Sequence, residues 1–234
     1  DIPKAKDAGE YTVWYRVIGD SNHKNSAENS VKVTIARKKV TADVTVGGEY
    51  IYSGTEIKPT DITVKDGNDV IPDSEYNVSY ADNKAAGNAK VIITNAENGN
   101  YIVDGVGEFE IKKADLTIKV KDVSREYGAP NPELEVIYSG FVNDEDESVL
   151  DGTLVLKYND EINETAEAKL HENVTTASGL TANNYKINYV PGNVTITKIP
   201  ISASAGAARK TYLNAVFDKS LEGLGKANFA VKDN

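Results

Sequence analysis

The sequence predicts an all-β chain of small β-sandwich modules in tandem. Three observations support this prediction: short runs that alternate apolar and polar residues, turn-forming residues between the runs, and a plan that recurs along the chain. In residues 31–35, Val-Lys-Val-Thr-Ile, the apolar side chains share one face of a strand and the polar ones share the other. Because no flexible Gly/Ser-rich linkers separate the repeats, we expect an elongated array.

Similar alternating runs are found throughout the chain. They lie near residues 44–46, 76–80, 116–120, 154–158, 185–189 and 194–196. Turn signals separate them, among them Gly47-Gly48, Asp66-Gly67-Asn68, Asn98-Gly99-Asn100, Asp151-Gly152 and Pro191-Gly192. The best helical candidate, residues 165–171, also alternates, so we predict strands throughout.

A recurring plan defines the repeats. An Ala-Gly pair is followed by an Asn before Tyr or His, and then by a closing strand that ends in a basic residue. The same 13-residue spacing separates Gly9 from Asn22 and Gly87 from Asn100. A third copy carries Asn184-Tyr185 and closes before residue 199. Each closing strand is followed almost at once by a new opening strand.

The lysine-rich joints near residues 37–39, 112–113 and 198–200 therefore mark the predicted boundaries. Four segments result. They are 1–36, the C-terminal half of a repeat; 37–112, a complete repeat; 113–198, a second complete repeat; and 199–234, the N-terminal part of a further β domain. The two half-units at the ends indicate a segment of a longer array.

Composition excludes several kinds of chemistry. The 234 residues carry a formal net charge of −10 and contain no cysteine and two histidines. Without cysteine there are no disulfides, thiolate nucleophiles or cysteine-bound metals. The acidic balance argues against nucleic-acid binding, which needs basic surface. No run approaches the roughly 20 apolar residues of a membrane helix, so we expect no membrane insertion within this segment.

Several motifs of the second segment are found in a known family. Residues 52–59 and 75–83, followed by Ala86-Gly87 and by Asn100-Tyr101, resemble the tandem Ig-like repeats of Gram-positive bacterial cell-surface proteins. Residues 7–17 are similar to the ending of the same repeat. The resemblance implies small Ig-like β-sandwiches displayed outside the cell, at the cell wall or the cell surface.

The third segment resembles a related module. Residues 125–132, Arg-Glu-Tyr-Gly-Ala-Pro-Asn-Pro, and residues 138–147 look like the MBG type of bacterial surface domain, and Asn184-Tyr185 belongs to the same pattern. Together the two resemblances cover about residues 1–198. They imply stacked modules that carry other domains or contact host or cell-wall glycans or surface proteins. They bring no catalytic residues, no metal and no cofactor, so we predict that the chain is not an enzyme.

The Asn-Tyr pair has a structural interpretation. A tyrosine at the start of the penultimate strand of a β-sandwich often packs inward and bonds its hydroxyl to backbone, as in a tyrosine corner. We therefore expect the tyrosines of the Asn-Tyr pairs, Tyr101 and Tyr185, to be buried with the hydroxyl bonded to a backbone group.

Trp14 and Arg16 are the candidate ligand-binding residues. Along residues 11–17 the odd positions form an apolar face, and Trp14 lies on the other face with Thr12 and Arg16. A solvated Trp14 could stack on a sugar ring or on a protein partner. The alternative is that Trp14 packs against a neighbouring strand or against the other half of its own repeat.

Other chemistry has weaker signals. Residues 143–147, Asn-Asp-Glu-Asp-Glu, concentrate the oxygen ligands that Ca²⁺ prefers, yet lack the spacing of an EF-hand, so we interpret them as a solvated acidic turn. A glycosidase needs two carboxylates across a cleft, and no motif selects such a pair. His23 and His171 have no nearby nucleophile motif.

These observations lead to one functional prediction and one rival. The prediction is a set of non-catalytic structural or adhesive stalk modules from a larger bacterial surface or secreted protein. We also expect that residues 1–36 and 199–234 can complement each other between chains by strand exchange. The rival is the carbohydrate-binding region of a secreted glycoside hydrolase, with Trp14 in the sugar platform.

Overall fold

The computed structural model describes residues 4–201, 203–205 and 215–217. The regular elements in these residues are strands, apart from two short 3-10 helices, Asp73–Glu75 and Glu147–Val149. The all-β prediction is confirmed. In the helical candidate, residues 165–171, the last two residues form a strand and the rest is irregular. Most of residues 199–234 lie outside the described residues, so the predictions for that segment and for its strand exchange with residues 1–36 stay predictions.

The chain forms two compact units, each made of several sequence segments. The first contains residues 1–117, 138–153 and 180–188. The second contains residues 118–137, 154–179 and 189–234. The division into four segments stays a prediction.

The first two strands form a hairpin in the first unit. Strand β1 (Gly9–Tyr15) pairs antiparallel with β2 (Asn29–Ile35). The register places Gly9 opposite Ile35 and Val13 opposite Val31. Val31 and Val33 are 49% and 44% exposed, so little covers the apolar face of this hairpin.

Residues 38–112 of the first unit form two facing sheets. The larger has the order β3-β10-β9-β8, with β5 pairing β10, and the smaller has the order β4-β6-β7. The strands are β3 (Lys38–Thr41), β4 (Asp43–Val46), β5 (Tyr50–Ile51), β6 (Ile62–Asp66), β7 (Asp69–Val70), β8 (Tyr76–Ala81), β9 (Gly87–Asn95) and β10 (Tyr101–Lys112).

Strand β10 is the centre of the larger sheet. It pairs antiparallel with β9, parallel with β3 at its start, where Tyr101 lies opposite Lys38, and parallel with β5 at its end, where Ile111 lies opposite Tyr50. The inward positions of β9 and β10 are apolar, as the alternation predicts. Ala89, Val91 and Ile111 are at most 1% exposed and form the core with side chains of the smaller sheet.

Two glycines of β10 allow the smaller sheet to approach closely. A Cβ at Gly107 would lie 2.7 Å from Val44 Cγ1, and a Cβ at Gly105 would lie 2.8 Å from Val44 Cγ2. Real Cβ atoms do not come this close, so a side chain at either position would push β4 away. The missing side chains thus set the spacing of the two sheets.

The rest of the described chain is also made of short strands. They are β11 (Ala114–Val120), β12 (Val123–Glu126), β13 (Val136–Ser139), β14 (Asp151–Tyr158), β15 (Leu170–His171), β16 (Thr175–Thr181), β17 (Tyr185–Val190), β18 (Val194–Thr197), β19 (Ala203–Ala205) and β20 (Ala215–Phe217). The sheet orders are β13-β11-β17, β12-β18-β15, β14-β16 and β19-β20.

The second unit has its own core. Ile162, Val174, Val194 and Ile196 are each at most 5% exposed and pack together. Strand β12 pairs parallel with β18, which places Arg125 opposite Ile196.

Arg125 is 7% exposed, and its guanidinium is held by neutral oxygens. It donates to Asn131 Oδ1 at 2.8 Å, to the carbonyl of Glu126 at 3.1 Å and to the carbonyl of Asn163 at 2.5 Å. Gly128 lies two residues after the end of this strand and has a φ of +79°, which favours glycine, and its N–H donates to the carbonyl of Glu164. Arg125 and Gly128 thus connect β12 to the segment around residues 163–164.

The close approach at Gly107 gives a first prediction. Gly107→Ala should lower the free energy of unfolding by about 1–3 kcal/mol, because the new methyl group overlaps Val44. Urea denaturation measures the change. Glu108→Ala is the control, since Glu108 is exposed on the same strand and should stay within about 0.5 kcal/mol of the wild type. Equal stability of Gly107→Ala and the wild type would contradict the close approach.

Candidate functional site

Trp14 is exposed, as a binding role requires. The indole is 67% exposed on β1, on the face that also carries Thr12, and it lies opposite Ser30 of β2. The predicted face is therefore observed, and a ring on it is open to a ligand. Whether Trp14 binds anything stays a prediction.

Arg16 directly follows β1 and makes a weak ion pair. Its Nη1 lies 3.9 Å from Glu28 Oε1, and both side chains are at least half exposed. An exposed pair at this distance contributes little to stability, so the guanidinium stays available to a ligand.

A groove of about 660 Å³ lies beside Trp14. Its lining includes the Trp14, Tyr11 and Val33 side chains and the segment 4–7, which brings in Lys4 and Lys6. The Tyr11 hydroxyl donates to the carbonyl of Asp7 at 2.7 Å and so fixes one end of this segment on the strand. Aromatic surface beside ammonium donors suits a polyhydroxylated ligand, because the ring covers the apolar sugar face and the donors bond its oxygens.

The acidic run 143–147 does not converge on one point. The Asp146 side chain accepts the N–H of Ser148 at 2.9 Å and caps a 3-10 helix. Hydrogen bonding from the Ser148 side chain, and then from its backbone N–H, lowers the pKa of Asp146. Glu145 turns the other way and accepts two tyrosine hydroxyls. In the part of the chain that the structure describes, no group of three acidic or histidine side chains is placed to hold a metal ion.

Glu145 is the centre of a buried polar group, which we call the tyrosine–glutamate cluster: Tyr52, Glu145 and Tyr185. The Tyr52 hydroxyl donates to Glu145 Oε1 at 2.6 Å, and the Tyr185 hydroxyl donates to Oε2 at 2.5 Å. The two rings meet edge to face with centroids 5.6 Å apart. Both tyrosines are at most 5% exposed. The other residues of the run 143–147 are exposed, as a solvated turn requires, whereas Glu145 is half-buried against these rings.

Tyr185 agrees with the structural interpretation of its Asn-Tyr pair, whereas Tyr101 of the other pair is only half-buried. Its side chain is 2% exposed, and its hydroxyl accepts the backbone N–H of Val142 at 3.0 Å while it donates to Glu145. Phe141 packs edge to face on the same ring, with centroids 5.5 Å apart. The tyrosine therefore fixes the loop that carries Glu145.

The tyrosines of the cluster hold their protons tightly. The hydrogen bond to Glu145, together with burial, raises the pKa of Tyr52 to about 12. Burial and the hydrogen bond to the same carboxylate also raise the pKa of Tyr185. An ionised phenol beside this carboxylate would be repelled, so the cluster is built for neutral tyrosines.

The histidines have only local partners. His23 Nδ1 lies 2.7 Å from Asp20 Oδ1 on an exposed turn, and this contact lowers the pKa of Asp20. His171 Nε2 lies 2.9 Å from the carbonyl of Glu167. Neither contact includes a hydroxyl or thiol nucleophile, so they give no support to nucleophilic catalysis.

The segment from residue 116 to residue 195 matches a protein-family model described as MBG domain (YGX type). Tyr127-Gly128-Ala129 lies within this range. Residues 116–195 form an MBG-type domain. The predicted MBG segment, 113–198, is thereby supported, and MBG domains are non-catalytic modules typical of surface proteins.

Other comparisons gave no relatives. No curated protein and no solved structure matches the chain. Among the described residues, no helix has the length and apolar character needed to cross a membrane.

The sequence did not reveal the tyrosine–glutamate cluster. Tyr52 and Tyr185 each lie beside a recurring motif of the sequence, but Glu145 is one of several acidic residues in a run. Its two tyrosine partners are 93 and 40 residues from it in the sequence. One feature of the sequence could have indicated the cluster. The run that contains Glu145 closely follows Phe141, and an aromatic residue at this place indicates that part of the loop is buried.

The raised pKa of Tyr52 gives a second prediction. The pKa of Tyr52 is about 10 in the unfolded chain and about 12 in the folded protein. The hydroxyl therefore contributes its full stabilisation below pH 10, and this contribution decreases as the pH rises toward 12. Tyr52→Phe should therefore flatten the fall in unfolding free energy between pH 10 and 12. At pH 7 it should also cost about 1–3 kcal/mol, because Glu145 loses a donor.

Denaturation at a series of pH values measures both effects. Tyr127→Phe, which removes an exposed hydroxyl, is the control and should keep the wild-type slope. If Tyr52→Phe keeps the wild-type slope above pH 10, the Tyr52 hydroxyl does not bond to the Glu145 carboxylate.

Proposed function

We propose that the chain is a set of non-catalytic structural modules of a larger surface or secreted protein of a Gram-positive bacterium, in which stacked Ig-like repeats and the MBG domain form a stalk. Such a stalk holds another domain away from the cell wall or offers lateral surface for adhesion. The proposal places the chain outside the cell.

The observation that carries the proposal is the direct continuity of strands. Strand β2 ends at Ile35 and β3 begins at Lys38, and β10 ends at Lys112 while β11 begins at Ala114. One or two residues cannot act as a flexible linker, since free rotation needs a longer segment without hydrogen bonds. A protein that transmits position or force benefits from this continuity, whereas an isolated ligand-binding domain does not need it.

The hairpin of β1 and β2 supports the repeat assignment. Gly9 lies opposite Ile35, just as Gly87 lies opposite Ile111 in β9 and β10, and the register is the same along both hairpins. The Val91 side chain is fully buried, whereas its counterpart Val13 is only half-buried. This pattern supports residues 1–36 as the C-terminal half of a repeat whose apolar face is completed by opening strands like β4 and β6.

Small-angle X-ray scattering tests the stalk. A compact protein of this length would have a radius of gyration of about 17 Å. A stalk of stacked modules should give a clearly larger value and a long tail in the distance distribution. A radius near the compact value would overturn the proposal. As a control, the scattering curve must be the same at several protein concentrations, because strand exchange between copies would also increase the radius of gyration.

A second candidate function is carbohydrate binding, favoured by the exposed Trp14 beside the groove with Lys4 and Lys6. In this case the chain would be the carbohydrate-binding region of a secreted glycoside hydrolase. Trp14 would stack on a sugar ring, and Arg16 would bond to hydroxyls nearby.

Glycan-array binding by matched variants distinguishes the candidates. If Trp14 stacks on sugar, Trp14→Ala should lose at least tenfold in affinity for any glycan that the wild type binds, because truncating such an aromatic anchor costs about 2 kcal/mol. Tyr15→Ala is the control, since Tyr15 is also exposed but lies on the opposite face of β1. Equal binding by Trp14→Ala and the wild type, or no glycan binding at all, would rule out the sugar platform.

A further inference from the structure

Two asparagines occupy equivalent places in the first unit, and we call them the joint asparagines: Asn100 and Asn184. Each directly precedes a tyrosine that begins a strand, Tyr101 in β10 and Tyr185 in β17. Both side chains are half-buried. Both belong to the recurring Asn-(Tyr/His) position of the sequence plan, whose first copy contains Asn22.

Each joint asparagine accepts the same backbone group with its side chain. Asn100 Oδ1 accepts the N–H of Ala8 at 2.7 Å, and Asn184 Oδ1 accepts the N–H of Ala86 at 3.0 Å. Ala8 and Ala86 are the alanines of the recurring Ala-Gly pair, directly before β1 and β9. The donor thus lies in one repeat and the acceptor in the next.

Each joint asparagine also accepts a second N–H with its backbone carbonyl. The donor to Asn100 is Lys38 at 2.8 Å, and the donor to Asn184 is Ala114 at 3.0 Å. Lys38 begins β3 and Ala114 begins β11, so each donor starts the opening strand of the repeat that contains the asparagine. One residue therefore binds the end of the earlier repeat and the beginning of its own.

The short connections between the repeats are held in the same way. Arg37, before β3, donates to the carbonyl of Ala96 at 2.5 Å, and Lys113, before β11, donates to the carbonyl of Ala182 at 2.8 Å. Both carbonyls lie in the turn that leads to the joint asparagine. A cationic side chain in the connection is thus bonded to the same turn at both places.

Each joint has a carboxylate nearby, although the details differ. Asn100 Nδ2 donates to Glu75 Oε1 at 3.1 Å and to Asp7 Oδ1 at 3.2 Å. The Asn184 side chain interacts with the Tyr52 hydroxyl, which donates to Glu145. The two joints therefore share the asparagine and its contact with the alanine N–H, whereas the neighbouring carboxylates differ.

We propose that Asn100 and Asn184 are joint residues that lock each repeat to the next through the N–H of the preceding Ala-Gly pair. The acceptor atom and the donor residue type are the same at both places, and the second donor is in both cases the first residue of the opening strand, which a chance surface contact would not reproduce. The proposal rests on the stalk function and deepens it, because a stalk stays extended only if its junctions resist bending.

Amide hydrogen exchange tests the joint directly. In Asn100→Ala the Ala8 amide should exchange about five- to tenfold faster than in the wild type, since it loses its acceptor. The Lys38 amide is the internal control, because its acceptor is the backbone carbonyl of residue 100, which the substitution keeps. In Asn184→Ala the Ala86 amide should respond and the Ala114 amide should not.

Two results would overturn the proposal. Unchanged exchange of both Ala8 and Ala86 would show that the side chains do not hold these amides. Equal acceleration of Lys38 and Ala8 would show that the substitution loosens the whole segment, so that the side chain has no specific role. Each variant also controls for the other, since Asn100→Ala should leave Ala86 unchanged.

Distances between spin labels test stiffness. The chain has no cysteine, so Ser30→Cys and Lys90→Cys, both at exposed positions, carry the only labels. Asn100→Ala should broaden the distance distribution, and Asn95→Ala, an exposed asparagine on β9, should not. An unchanged width in Asn100→Ala would refute stiffening. Failure of the stalk itself would appear separately, as a compact radius of gyration in the wild type.

Discussion

The parallel pairing of β10 with β3 is the constraint on which the predicted repeat, residues 37–112, depends. Because β3 begins beside Tyr101 and runs in the same direction as β10, the chain enters the repeat at the start of β10 and leaves it at the end. Lys112 then leads through one residue into β11. An antiparallel pairing of first and last strands would return the chain to its starting side. The parallel arrangement makes head-to-tail addition of repeats possible without long connections.

Tyrosine hydroxyls replace covalent cross-links in these modules. Small sandwiches bury limited apolar surface, and many secreted domains add disulfides for that reason, but this chain has no cysteine. Instead, tyrosines donate to backbone carbonyls of irregular segments: Tyr50 to Gly47, Tyr80 to Pro59 and Tyr158 to Pro132. Each of these rings is half-buried and each hydroxyl fixes a loop, a role that phenylalanine cannot fill.

Local patterns predicted the strands well, because the period of two reflects the two faces of a sheet. The inward orientation of Tyr185 also followed from its Asn-Tyr pair. The sequence did not reveal what Tyr185 bonds to, since Glu145 lies in a loop 40 residues away and its run looked solvated. Nor could alternation show that β3 and β10 run parallel, because a strand has the same pattern in either direction. Trp14 and Arg16 remain predictions, although their exposure agrees with a binding role.

Two recurring residues of the sequence plan, the alanine of the Ala-Gly pair and the asparagine, make their shared contact between neighbouring predicted repeats. Ala8 and Asn22 belong to one copy of the plan, yet Ala8 bonds to Asn100 of the next. The Ala-Gly pair and the asparagine are thus two halves of one joint. Because the joint consists of a backbone N–H and a side-chain amide, it does not depend on the type of module that follows. The same pair of contacts joins Ala8 in residues 1–36 to Asn100 in residues 37–112, and joins Ala86 in residues 37–112 to Asn184 in residues 113–198. An array that mixes module types can therefore keep one kind of junction throughout.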